Sequence, residues 1–216
     1  MERIEKIITV LQKAVRHLPD PSVTLVGKKW KSPFLVLISC ILSLRTKDQT
    51  TLAASQRLFD LATSPQEMGR LKTEKIERAI YPVGFYRTKA RNIKSICKDL
   101  VEKFGGKVPD NLEMLLTLQG VGRKTANLVL TEGYGKLGIC VDTHVHRISN
   151  RLGYVHTKVP QETEMALRKK LPKKFWIQYN ALLVTWGQNV CRPVSPICSK
   201  CQIRRWCPQR GVDKKR

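Results

Sequence analysis

Leu118-Gln119-Gly120-Val121-Gly122-Arg123-Lys124-Thr125-Ala126-Asn127-Leu128-Val129-Leu130 is the stretch that decides how this chain is read. A helical apolar pattern ends at Leu118, a turn with two glycines follows, and a second helix starts at once. Gly120 and Gly122 permit positive φ and leave no side chain in the way of a close ligand. The backbone N–H groups of Gly120, Val121, Gly122 and Arg123 can then face a phosphate. Such contacts position a nucleic-acid backbone without reading its bases. Lys124 lies in the first turn of the second helix, and the residues after it are largely apolar. Partial burial and the positive end of a helix dipole both disfavour its ammonium form. A neutral lysine amine is a nucleophile able to form a Schiff base. The plainer alternative is a lysine that neutralises a phosphate.

Downstream, Val141-Asp142-Thr143-His144-Val145-His146-Arg147-Ile148 opens another helix. Val145, Ile148 and Leu152 recur at helical spacing, so the helix begins near Thr143 and Asp142 is its natural N-cap. Capping alone is one reading of Asp142; a chemical role is the other. His144 and His146 lack the i, i+4 spacing of a metal-binding pair and are expected to pack or to contact phosphate.

Toward the C-terminus, the pattern Cys191-x6-Cys198-x2-Cys201-x5-Cys207 crowds four of the seven cysteines into 17 residues. Cys40, Cys97 and Cys140 stand among apolar neighbours and read as buried small hydrophobes. In a reducing compartment the clustered four point to a metal site rather than to disulfides. Four thiolates can hold a zinc ion or a cubane iron–sulfur cluster, and spacing does not choose between them. Arg192, Lys200, Arg204 and Arg205 rim this loop with positive charge, which suits contact with a polyanion backbone.

That charge runs through the whole chain. Among 216 residues, 40 Lys+Arg face 17 Asp+Glu, so the formal net charge is 40 − 17 = +23. A field of that sign concentrates polyanions at the surface, and nucleic acid is the leading partner. A solvated, lysine-rich surface is the alternative. No apolar run is long enough to span a bilayer. Residues 1–13 mix charges of both signs with an apolar period, unlike a signal peptide. An intracellular, monomeric protein is expected, cytoplasmic and nucleoid-associated in a prokaryote.

Helical periodicity dominates elsewhere. Ile4, Ile7, Ile8, Leu11, Ala14, Val15 and Leu18 predict a first helix that stops before Pro19-Asp20-Pro21. Ser32 and Pro33 predict an N-cap and first position for a second, whose apolar run over 34–44 reads as core. Further helices are predicted over 48–62, 65–70, 73–80, 86–104, 111–118, 123–132, 143–152, 161–170 and 173–188. No sustained period-2 alternation occurs, so the fold is expected to be all-α.

The glycine turn with Lys124, the Val141-Asp142-Thr143-His144 motif and the cysteine spacing together resemble the endonuclease III family of the helix–hairpin–helix DNA glycosylase superfamily. The resemblance extends through Ser32-Pro33-Phe34, Leu42-Ser43-Leu44-Arg45-Thr46-Lys47-Asp48 and Val83-Gly84-Phe85-Tyr86-Arg87-Thr88-Lys89-Ala90 to nearly the whole chain. It implies a six-helix module over about 25–136 that carries the hairpin. A second domain, built from 1–24 and 137–216, would hold a [4Fe–4S] cluster on Cys191, Cys198, Cys201 and Cys207. Lys124 would be the catalytic lysine and Asp142 the essential aspartate of a DNA glycosylase that excises oxidised pyrimidines from damaged duplex DNA and cuts the strand by β-elimination. Phe85 and Arg45 would enter the duplex as an apolar wedge and a gap-filling group; a core aromatic and a surface or phosphate-bound charge are the alternatives. Two departures stand out: Gln119 where the family usually has proline, and Arg45 where many members carry glutamine. A monofunctional mismatch glycosylase and a non-catalytic DNA-binding module are the competing readings. Retention of Lys124 weighs against the first, and of Lys124 with Asp142 against the second.

Overall fold

The computed structural model describes residues 2–216; Met1, which begins the N-terminal segment read above, lies outside the described residues. Every regular element described is helical, as the periodicity predicts. The α-helices are α1 (Arg3–Ala14), α2 (Ser22–Trp30), α3 (Pro33–Ser43), α4 (Asp48–Phe59), α5 (Pro65–Arg70), α6 (Thr73–Ile80), α7 (Tyr86–Phe104), α8 (Leu112–Leu116), α9 (Arg123–Leu128), α10 (Thr143–Arg151), α11 (Pro160–Lys170) and α12 (Trp176–Asn189). Among these, none is long and apolar enough to cross a membrane. The chain divides into two compact units: Ser22–Gly138, and Met1–Pro21 with Ile139–Arg216.

In the first unit, α3 is the central element. Phe34, Leu35, Val36, Leu37, Ile38, Cys40, Ile41 and Leu42 are all buried, on every face of the helix. A helix apolar all round must be surrounded, and α2, α4, α7, α9 and the turn after α9 pack on it. Pro33 pre-sets the first turn, and Ser32 Oγ accepts the Leu35 N–H (3.4 Å).

The largest differences from the sequence reading fall at four places, while α4 ends three residues early at Phe59 and α12 begins three residues late at Trp176. Helix α2 was not expected: Ser-Val-Thr-Leu-Val-Gly-Lys-Lys-Trp is short, β-branched and broken by glycine, so packing rather than propensity holds it helical. A Cβ at Gly27 would stand 2.9 Å from the Glu132 carbonyl oxygen, so the glycine permits that close approach. Helix α1 stops at Ala14 although its apolar period runs on to Leu18; the intervening residues close in turns. Helix α8 is a single turn and does not reach Leu118. After α9 the chain widens into a π turn, Val129–Gly133.

The second unit buries Ile4, Ile7, Ile8 and Leu11 of α1 with Val145 and Ile148 of α10, Leu167 of α11, and Tyr179, Leu183 and Trp186 of α12. The cysteine segment lies against this core through Ile203, with Cys191, Cys201 and Cys207 half-buried at its edge.

Candidate active site

The hairpin forms as the two glycines suggest, but they serve differently. Gly120 has φ +76°, and a Cβ there would meet Asn92 Nδ2 at 2.8 Å. The left-handed conformation is what calls for glycine here; the Asn92 amide could swing aside to admit a side chain. Gly122 has φ −95° and faces open space, so it leaves the approach to α9 unobstructed. The Val121 N–H donates to Leu118 O (3.1 Å), and Val121 itself is buried. That amide is committed inside the turn, and outward-facing donors must come from Gly122 and the first turn of α9, which begins at Arg123.

Lys124 is half-buried in that first turn. It lines an open cavity of about 460 Å³ with Leu44, Arg45, Phe85 and Lys89. Three residues singled out from sequence thus converge, although Arg45, Phe85 and Lys124 are widely spaced along the chain. Beneath them, burial pushes the Cys40 thiol up to about 12, with Lys124 pulling it down and Glu132 raising it. Cys40 is an inert thiol at neutral pH.

Arg45 follows the end of α3 and Phe85 precedes α7. Both sit in the left-handed region, with φ 53° and 58°. Such residues cost about 1–3 kcal/mol each and persist only where their surroundings enforce the conformation. Phe85 is 64% exposed, so it is not a core aromatic. Its ring lies 5.7 Å from the Arg45 guanidinium carbon, within cation–π range.

Lys89, in the same cavity, was given no role from sequence. It is only 5% exposed, and burial pushes its ammonium down to about 8. Its Nζ donates to Leu42 O (2.8 Å), Leu44 O (2.5 Å) and Thr46 Oγ1 (3.2 Å). A signal existed: Lys89 stands on the stripe Ala90, Ile93, Ile96, Cys97 and Leu100 that α7 buries. A lysine in a buried stripe requires acceptors.

Asp142 belongs to the other unit. It caps α10 through one oxygen: Oδ1 accepts the N–H of His144 (2.9 Å) and of Val145 (2.8 Å). His146 Nδ1 pairs with Thr163 Oγ1 (2.6 Å), and His144 Nδ1 with Arg147 Nη2 (3.0 Å), so both rings are engaged in packing contacts.

The four clustered cysteines are free thiols that line one cavity with Ile148, Leu152, Trp186 and Ile203. Burial pushes the Cys201 thiol up to about 11; a backbone N–H at Ile203 opposes this, and the other three cysteines raise it further. Arg151, itself buried, donates to Arg192 O and Pro193 O (2.7 Å each), and Nη1 stands 3.5 Å from Cys191 Sγ. Arg192 and Lys200 are exposed on this loop. Among the described residues, no three His, Cys, Asp or Glu side chains already stand in a metal-holding arrangement.

Residues 38–173 match the family described as HhH-GPD superfamily base excision DNA repair protein. Endonuclease III of Thermotoga maritima is 50% identical over 179 residues, covering 83% of this chain and 84% of that protein. Two solved structures share the fold at TM-score 0.85 and 32% identity, each over 97% of this chain. One is a non-covalent endonuclease III–DNA complex, matched over 96% of its chain. The other is a trapped endonuclease III–DNA covalent intermediate, an estranged-adenine complex, matched over 97%.

Proposed function

The chain belongs to the HhH-GPD superfamily of base excision DNA repair proteins, and on that premise we propose that it is a bifunctional DNA glycosylase and abasic-site lyase that removes oxidised pyrimidines from duplex DNA. The observation that carries this reading is the amine of Lys124 at the head of α9, lining an open cavity beside Arg45 and the exposed ring of Phe85. A stacked nucleotide hides C1′, so the lesion is flipped out of the duplex. Gly122 and the first turn of α9 from Arg123 hold the phosphate backbone, with Gly120 and Val121 shaping the turn that presents them, and Arg192 and Lys200 contribute from the cysteine loop. Lys124 Nζ attacks C1′ as the N-glycosidic bond breaks and the base leaves with a proton. Asp142 stabilises positive charge developing on the sugar and assists the proton transfers. Ring opening yields a Schiff base. Loss of a C2′ proton then expels the 3′ phosphate, and hydrolysis of the imine restores the amine.

Borohydride in the presence of duplex DNA with an abasic site tests this directly. It reduces the imine to a stable amine, and a covalent protein–DNA band is expected. A monofunctional mismatch glycosylase or a non-catalytic DNA-binding module gives no such band, and its absence would reject the lyase assignment.

Cys191, Cys198, Cys201 and Cys207 are proposed to hold a [4Fe–4S] cluster. A zinc–sulfur bond of about 2.3 Å draws four thiolates to a single point. Here the four thiols line one cavity whose other walls include Ile148, Leu152, Trp186 and Ile203. A polynuclear core, ligated by a thiolate at each iron, suits a cavity with such a dry lining. Raised thiols also need a cationic core to stay ionised. The cluster cross-links the C-terminal segment. Purified protein is expected to be yellow-brown and to contain iron. Replacing Cys198 by Ser should bleach the colour and lower the melting temperature, because ligation there is coupled to folding. Stoichiometric zinc without iron would rule the cluster out.

Phe85 is proposed to fill the space vacated by the flipped nucleotide. Phe85→Ala should weaken binding to lesion-bearing duplex by about 1–3 kcal/mol, the scale of a lost base–aromatic stack. Undamaged duplex, held by phosphate contacts, should change far less. The exposed ring contributes little to stability, so the melting temperature should hold. Titrations on both duplexes, with thermal unfolding alongside, separate these outcomes.

A further inference from the structure

Two side-chain-bearing residues in left-handed conformation, facing each other from separate turns, need something to hold them there. Lys89 reaches both ends of the 44–46 turn. Its ammonium takes the Leu42 and Leu44 carbonyls at the end of α3, where a helix leaves acceptors unsatisfied and favours positive charge. It also reaches Thr46 Oγ1. That hydroxyl is the joint between the turns: it donates to Leu44 O (3.2 Å) and accepts the Gly84 N–H (3.3 Å). The turns are in close backbone contact there, since a Cβ on Gly84 would stand 2.9 Å from Arg45 O. One buried ammonium and one hydroxyl therefore hold Arg45 and Phe85 side by side above the cavity that Lys124 lines.

We propose that Lys89 is a positioning residue that locks the 44–46 and 83–85 turns into one rigid wedge, so that Arg45 and Phe85 are presented together before DNA arrives. The proposal rests on the reading that these two residues enter the lesion duplex. Its advantage is preorganisation: a wedge ordered in the free protein loses little freedom on binding, so more of its contact energy appears as affinity. The threonine hydroxyl explains how the Lys89 side chain governs both turns: its ammonium reaches the second through Thr46 Oγ1, beside the backbone bond from Lys89 N–H to Phe85 O (3.0 Å) that opens α7.

The test measures the ratio of dissociation constants for undamaged duplex and for duplex containing a tetrahydrofuran abasic analogue. Taking a ratio cancels the loss of one positive charge. Lys89→Met should reduce the ratio about tenfold, the scale of coupling through shared contacts. In a background already carrying Arg45→Ala and Phe85→Ala, adding Lys89→Met should change it less than about twofold. A residue that only supports the fold would act alike in both backgrounds, and equal losses overturn the proposal. If the Arg45→Ala, Phe85→Ala background keeps the parent ratio, the wedge reading fails and the lock fails with it. If that background lowers the ratio and Lys89→Met does not, the lock alone is rejected. Should Lys89→Met not fold, Thr46→Val removes only the joint hydroxyl. About a threefold loss that vanishes in the double-alanine background supports the lock, and an unchanged ratio overturns it.

Discussion

Lys124→Ala is expected to abolish borohydride trapping and to slow strand cleavage about 10³-fold or more, the scale of losing a nucleophile that acts as part of a unit. The protein should still fold, because Lys124 lines an open cavity and its removal leaves no sealed void. DNA binding should weaken only a few-fold, with about one unit lost from the salt slope if the lysine also touches phosphate. Lys89 is the other amine in the cavity and the one candidate substitute. Its folded-state value of about 8 leaves a growing neutral fraction as pH rises from 7 to 9. Its three acceptors, however, hold that amine against the end of α3. Trapping by Lys124→Ala should therefore stay absent across that range. A trapped band that grows with pH would identify Lys89 as a second nucleophile, and ordinary cleavage by the variant would reject Lys124 altogether.

Asp142→Asn should slow base excision by about 10²–10⁴-fold, the range of a lost general acid–base group, with an unchanged melting temperature. The geometry makes this substitution informative. Both capping bonds fall on Oδ1, and an asparagine carbonyl oxygen accepts the same two N–H groups. The cap survives while the charge disappears. Asp142→Ala is the contrasting variant: it also removes the cap, at about 1 kcal/mol. That loss reaches further than one helix end, because α10 carries Val145 and Ile148 in the core and Arg151 against the cysteine loop. Measuring single-turnover excision and thermal unfolding on both variants separates the roles. An asparagine variant with the parent rate would leave Asp142 as a cap and nothing more.

Much of this was legible along the chain. Ser32 and Asp142 cap the helices their positions predict, and α5, α6 and α7 begin and end where pattern and punctuation place them. The hairpin glycines, the lysine after them, the Val141-Asp142-Thr143-His144 motif and the cysteine spacing carry the family resemblance by themselves. Each of these signals acts over a few residues, through a capping oxygen, a permitted φ or a period of 3.6, so each is written locally. Helix α2 was missed because its nine residues are helical only in company, with Gly27 chosen for the Glu132 backbone it lies against. The π turn after α9 likewise lies packed against α2 and α3. The cavity belongs wholly to this second kind. Arg45 and Phe85 take a conformation their own chemistry disfavours, Lys89 is buried against its solvation preference, and Lys124 stands with them only because α3, α7 and α9 pack together. Local chemistry chose the helices and their ends; contacts between distant segments, which alone repay strain and desolvation, decided what meets in the cavity.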